Sequence, residues 1–201
     1  NIKMFNRVQN TITGWPGGKP NASDQKRPER AHPSKKRCII FSPHPDDDVI
    51  SMGGTFDRLV SQGHEVHLAY QTSGNIAVSD EEALKYIEVM LDLDSELKSY
   101  LLLKKEILSK KKNQIDSISL RKLKTAIRKR ESLAASRYLG IPDNQVHFLN
   151  LPFYETGKIQ KNNPDEKDTL ITNDIISRIK PHQIYAAGDL ADPHGTHRIC
   201  L

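Results

Sequence analysis

From residue 37 onward, apolar and polar positions fall into blocks that alternate between strand-like and helix-like spacing. Arg37-Cys38-Ile39-Ile40-Phe41-Ser42 is a short apolar run stopped by Pro43, which predicts a buried strand. Val49 to Gln62 switches to helical spacing, with Met52, Phe56, Leu59 and Val60 on one side. Glu65 to Gln71 predicts a second strand ending in the turn Thr72-Ser73-Gly74-Asn75, and Ser79-Asp80-Glu81-Glu82 reads as a helix start ahead of Ala83 to Leu93. Between Leu101 and Arg130, apolar residues recur among many lysines and arginines, the pattern of amphipathic helices with wet, basic faces. Glu131 to Leu139 completes a helix stopped by Gly140 and Pro142. Gln145 to Leu149 then predicts a strand, Lys167 to Ile179 a helix ended by Pro181, and Gln183 to Ala187 a last strand.

This order predicts an α/β fold: a Rossmann-like, mostly parallel sheet with helices on both faces. Residues 1–36 read as linker or tail, since Gly14-Trp15-Pro16-Gly17-Gly18-Lys19-Pro20 is turn material and Asn21 to Lys36 holds almost nothing apolar. Residues 37–201 are then the folded part. His197 to Leu201 looks like the start of another helix with little to pack against, so the domain is expected to be truncated at its carboxyl end. Ligands of parallel sheets bind beyond the carboxyl ends of the strands, which directs attention to the loops after Ser42, Gln71, Leu149 and Ala187.

Composition narrows the classes. A chain of 201 residues, 36% apolar and 27% charged, has room for one ordinary soluble domain. It shows neither an apolar run of spanning length nor a leader pattern, so the expected setting is cytoplasmic, with no membrane partner. Cys38 and Cys200 are too few for a disulfide framework and read as inert, buried thiols. The net charge of +5 raises the question of nucleic acid, but the excess sits in one helical segment without interleaved aromatics, so no nucleic-acid partner is expected.

Two loops carry the chemistry. Ser42-Pro43-His44-Pro45-Asp46-Asp47-Asp48 offers an imidazole and three adjacent carboxylates, which repel one another unless a cation or hydrogen-bond donors hold them. The plainer alternative is an acidic helix start that complements the helix dipole. After the last strand, Gly188-Asp189-Leu190-Ala191-Asp192-Pro193-His194-Gly195-Thr196-His197 holds two histidines. One can supply a nitrogen to a cation shared with His44 and an aspartate, leaving the other for proton or oxyanion chemistry. Catalytic zinc sites generally have three such protein ligands plus water.

Pro43-His44-Pro45-Asp46-Asp47, taken with His194-Gly195-Thr196-His197, resembles the PIG-L/LmbE-like family of zinc N-deacetylases, and the likeness covers residues 37–201. Arg128-Lys129-Arg130-Glu131 running into Ala134-Ala135 and Leu139-Gly140, and then Phe148-Leu149-Asn150-Leu151-Pro152, is similar to further family segments. The resemblance implies one zinc per chain on His44, Asp47 and His197, with Asp46 as general base and His194 meeting the oxyanion or the leaving amine. The implied substrate is a small N-acetylglucosamine-type amino-sugar, with Arg128 as a candidate for a substrate hydroxyl or phosphate. Two positions depart from the pattern. Asp48 stands where Glu is common, and Thr196 where Asp is common, which leaves the orientation of His194 to Asp189 or Asp192. The Gly14–Pro20 stretch and this His-Pro-Asp-Asp-Asp variant resemble the form of the domain that follows a glucosamine-6-phosphate deaminase-like module, so residues 1–36 would be an interdomain linker. A metal phosphoesterase, which needs more ligands, and a non-catalytic sugar-binding or regulatory domain remain open readings.

Overall fold

The computed structural model describes residues 35–188, 191, 193 and 195–201. Most of the expected linker lies outside them. The chain runs β1 (Arg37–Ser42), α1 (Asp47–Ser61), β2 (Glu65–Tyr70), α2 (Asp80–Leu93), α3 (Lys98–Leu108), α4 (Ile118–Tyr138), β3 (Val146–Phe148), α5 (Glu166–Ile179), β4 (Gln183–Ala186) and α6 (Thr196–Cys200). Every strand pairing is parallel, in the order β3-β2-β1-β4. From β1 the chain builds outward through β2 and β3, then crosses back to lay β4 on the other side of β1. The point where strand order reverses, between β1 and β4, opens a crevice at the carboxyl ends of those strands.

Both faces of the sheet are covered, as the continuous apolar runs predict. On one face Cys38, Ile40, Val66, Leu68 and Tyr70 pack with Phe56 and Leu59 of α1 and Leu133 of α4. On the other, Ile39, Phe41 and Ala69 pack against Ile175 of α5. A separate cluster of Ala83, Ile87, Leu103, Leu120 and Ile127 joins α2, α3 and α4. Ser79 and Ser117 cap their helices by accepting from the backbone N–H groups of Glu82 and Leu120, and Asp165 forms a capping box with Asp168. β4 is an edge strand, with Ile184 51% exposed.

Four details differ from the sequence reading. α1 starts at Asp47, not Val49, so Asp47 and Asp48 occupy its first turn with Asp46 as N-cap. Inside this helix Met52 has non-helical torsions (φ −148°, ψ 26°) that break it ahead of Gly53 and Gly54. The basic segment is not wet throughout. Lys124, buried where α4 meets the start of α2, pairs with Asp80 at 2.7 Å and Asp116 at 2.8 Å. Lys110 pairs with the same two carboxylates, closing a ring of alternating charge in which no buried ion is left unmatched. Finally, both cysteines are free thiols, but only Cys38 is buried, and burial raises its pKa to about 11. Cys200 is half-buried, and its carbonyl accepts from Gln71 Nε2 at 2.9 Å. Among the described residues no helix is long and apolar enough to cross a membrane.

On the α5 face, the His67 and His147 rings stack with centroids 5.4 Å apart. His67 Nδ1 lies 3.1 Å from His147 Nε2, and His67 Nε2 lies 3.0 Å from Glu65 Oε1. Burial first, then His67 and Arg178, push the His147 pKa from 6.5 down to about 4. The unfolded chain therefore binds this proton at a pH where the folded chain refuses it. The stabilisation is complete above about pH 6.5 and is lost progressively as the pH falls toward 4. Replacing His147 with Gln is expected to flatten the pH dependence of the unfolding free energy across that window, as measured by urea denaturation. An unchanged slope would refute the assignment.

Candidate metal centre and the residues around it

The turn after β1 is held by short polar contacts at nearly every backbone group. Ser42 Oγ donates to the His44 carbonyl at 2.5 Å and accepts from Asp48 N at 3.1 Å. The Pro43 carbonyl accepts from the Thr72 hydroxyl at 2.7 Å, and the Pro45 carbonyl from the Ser132 hydroxyl at 2.9 Å. Prolines at 43 and 45 fix φ, and their carbonyls anchor the turn to the loop after β2 and to α4.

Within this frame the structure brings His44, Asp47 and His197 together, although 153 residues separate the two histidines. Asp47 Oδ2 lies 3.2 Å from His44 Nδ1 and 3.2 Å from His197 Nε2, and the two nitrogens are 3.2 Å apart. Donor atoms about 2.0–2.1 Å from a tetrahedral zinc are spaced about 3.3 Å from one another, so this triangle has the dimensions of one face of such a site. Two imidazoles and a carboxylate also suit zinc in donor type. Asp47 Oδ2 accepts from the His44 backbone N–H at 2.7 Å. Burial pushes the Asp47 carboxyl up, but the hydrogen bonds from His44 and the charges of His44 and His197 outweigh it and hold it below its ordinary range. Tyr154 closes one side, its ring edge-on to His44 at 5.9 Å. Among the described residues this is the one group of three metal-ligating side chains, and a two-metal arrangement has no further ligands there.

The three aspartates of the first loop separate by environment. Asp46 is the open one, 41% exposed, and its Oδ2 pairs with Arg128 Nη2 at 2.9 Å. Asp48 is buried, accepting from Tyr70 Oη at 2.9 Å and lying 3.4 Å from Ser42 Oγ. Burial raises its pKa. The position where family members commonly carry Glu is thus an internal brace under the turn. Helical geometry turns the neighbouring side chains in different directions. Arg128 is not a solvated surface residue, because its guanidinium is mostly buried and bridges Asp46 and Glu131.

Sequence reasoning pointed to the loops after β2 and β3 but named no functional residue in them. Glu155 Oε1 accepts from Ser73 N at 3.3 Å and Glu155 Oε2 from Asn75 Nδ2 at 3.2 Å, while the Glu155 carbonyl accepts from Arg121 Nη1 at 3.3 Å. These contacts clasp the two loops together beside the triad. The only available signal was their place after strands, since Phe153-Tyr154-Glu155 matches no general ligand pattern. Thr196 is buried at the start of α6. His194, Asp189 and Asp192 lie outside the described residues, so the expected roles of these three stay with the sequence.

The fold and site together are a parallel α/β sheet with a histidine–aspartate–histidine triangle, able to hold a metal ion, at its strand-order reversal. Residues 39–201 match the PIG-L family, GlcNAc-PI de-N-acetylase, and the chain belongs to that family. It is similar to a protein of Bacteroides thetaiotaomicron described as glucosamine-6-phosphate deaminase-like, at 56% identity over 209 aligned positions. The alignment covers the whole of this chain but 32% of that relative, so the chain spans about a third of its length. No solved structure matches the chain.

Gly74 tests the packing around the turn. It adopts φ +61°, and a Cβ there would stand 2.7 Å from Pro45 Cδ and 3.3 Å from Arg128 Nε. Replacing Gly74 with Ala is expected to cost at least about 1–2 kcal/mol from the backbone alone. By displacing Pro45 it should also weaken the affinity of the triangle for a divalent metal ion roughly 10-fold. Unfolding and metal titration measure both, and unchanged values would show that the turn tolerates movement.

Proposed function

We propose that this chain is a zinc-dependent N-deacetylase that hydrolyses the acetamide of an N-acetylglucosamine-type sugar. The observation that carries the reading is the 3.2 Å triangle of His44, Asp47 and His197 donor atoms, together with family membership. Bound there, one zinc ion per chain would supply Lewis acidity, making water nucleophilic near neutral pH and drawing charge from the amide carbonyl. We assign Asp46 as the base. Its Oδ2 is held by Arg128, which leaves Oδ1 to take the proton as the water oxygen bonds to the amide carbon. The C–N bond then breaks, that proton passes to the departing nitrogen, and acetate and the free amino-sugar result. His194 is assigned to meet the charge on the carbonyl oxygen, a role worth on the order of 3 kcal/mol for a positioned donor. Arg128 acts first through Asp46, and its remaining surface is assigned to a substrate hydroxyl or phosphate.

We further propose that residues 37–201 form the deacetylase domain and residues 1–36 a linker to a deaminase-like module in a longer polypeptide. The support is the name and length of the Bacteroides relative. In such a protein the amine released by one module is the kind of substrate the other would consume. A cytoplasmic setting fits thiols that stay reduced.

Asp46→Asn is expected to keep about one zinc per chain while deacetylation falls roughly 10²- to 10⁴-fold, the range for losing a positioned general base. Asp47→Asn is expected to lose the metal. Metal analysis beside acetate release decides the matter, and a reversal of the two results would exchange the roles of the carboxylates. If zinc-loaded protein releases acetate from no N-acetyl amino-sugar, the deacetylase reading falls.

A further inference from the structure

Lys161 is a half-buried cation that neither the fold nor the triad accounts for. Its Nζ lies 3.9 Å from the centroid of the Tyr154 ring and donates to the Lys158 carbonyl at 3.0 Å. The same Tyr154 ring also meets the candidate metal triangle, with its centroid 5.9 Å from that of His44. The ammonium and the candidate ligand His44 therefore share one aromatic neighbour. Among the described residues Lys161 has no carboxylate partner. Glu155 is hydrogen-bonded to Ser73 and Asn75 and forms no ion pair with Lys161. Burial lowers the Lys161 pKa and Glu155 offsets this in part. Arg121 adds a second cation to the same loop through its contact with the Glu155 carbonyl.

Ions withdrawn from water are ordinarily matched by counterions. An ammonium that is partly withdrawn, without an ion-pair partner among the described residues, and set in a loop beyond the carboxyl end of a parallel strand stands where a ligand's charge can bind. A lysine ammonium holds a phosphate as a point charge, without the planar geometry an arginine fork imposes. We propose that Lys161 anchors a phosphate monoester on the amino-sugar substrate, one pyranose ring away from the acetamide that meets the metal. The inference rests on the deacetylase reading and narrows its substrate to a phosphorylated N-acetyl amino-sugar.

The test compares kcat/KM of the zinc-loaded chain for N-acetylglucosamine, its 1-phosphate and its 6-phosphate. One phosphorylated sugar is expected to be preferred over the uncharged one by roughly 10- to 100-fold, the worth of a hydrogen bond to a charged group. Which ester is preferred tells where on the ring the phosphate sits. Lys161→Met should erase that preference and Lys161→Arg should retain part of it. A wild-type preference near one, or a preference that Lys161→Met leaves intact, overturns the proposal while acetate release still stands. If no sugar is deacetylated, calorimetric binding of glucosamine 6-phosphate, glucosamine 1-phosphate and glucosamine to the zinc-loaded chain decides instead. Tighter binding of a phosphate that Lys161→Met weakens by the same factor upholds the anchor. Equal binding of all three, or none, removes it.

Discussion

A single carboxylate oxygen joins the two halves of the sheet edge. Asp47 Oδ2 takes a hydrogen bond from the His44 backbone N–H and meets imidazole nitrogens from the loops after β1 and β4. An anion in that position is useful twice. It closes the turn on its own side and attracts a ring from a segment far along the chain. Without it, two imidazoles whose nitrogens lie 3.2 Å apart would face each other with no acceptor between them and a bound cation. The low pKa of Asp47, held down against the effect of burial, keeps that oxygen charged over the ordinary pH range.

The sheet explains why such distant residues can meet at all. Parallel strands deliver all their carboxyl ends to one side, so the residues that follow Ser42, Tyr70, Phe148 and Ala186 share a small volume whatever their separation in sequence. This much was legible from residue order, because apolar runs of strand length alternate with helical spacing and the strands are buried on both faces. His44, Asp47 and His197 were legible too, as ligand types in two such loops. What could not be read locally was pairing. Nothing in the sequence says that Arg128 closes on Asp46, that Asp48 lies under Tyr70, or that Lys124 turns inward to Asp80 and Asp116. Each depends on the angle at which one helix crosses another element, which periodicity does not encode. Tyr154 and Glu155 escaped for the opposite reason: they carry no ligand signature, and their positions matter only once the loops are folded together.

The division of labour among the three adjacent aspartates follows from depth. Asp48 is shielded and tied to a phenol, Asp47 faces the imidazoles, and Asp46 keeps one oxygen toward solvent while Arg128 holds the other. The like-charge repulsion that makes such a run unusual is relieved separately at each residue, by a hydrogen-bond donor, by the ligand cluster and by a guanidinium.

The break at Met52 has a mechanical meaning. Phe56 and Leu59, on the far side of it, are locked into the sheet, while Asp47 and Asp48 lie on the near side. Had α1 been continuous, any adjustment of its first turn would have levered those two anchors through a rigid rod. With one residue off the helical torsions, the ligand-bearing turn is a short arm on a joint. That arm is fixed by its own contacts to Ser42, Thr72 and Ser132, so the placing of Asp47 and the packing of Phe56 and Leu59 are set separately.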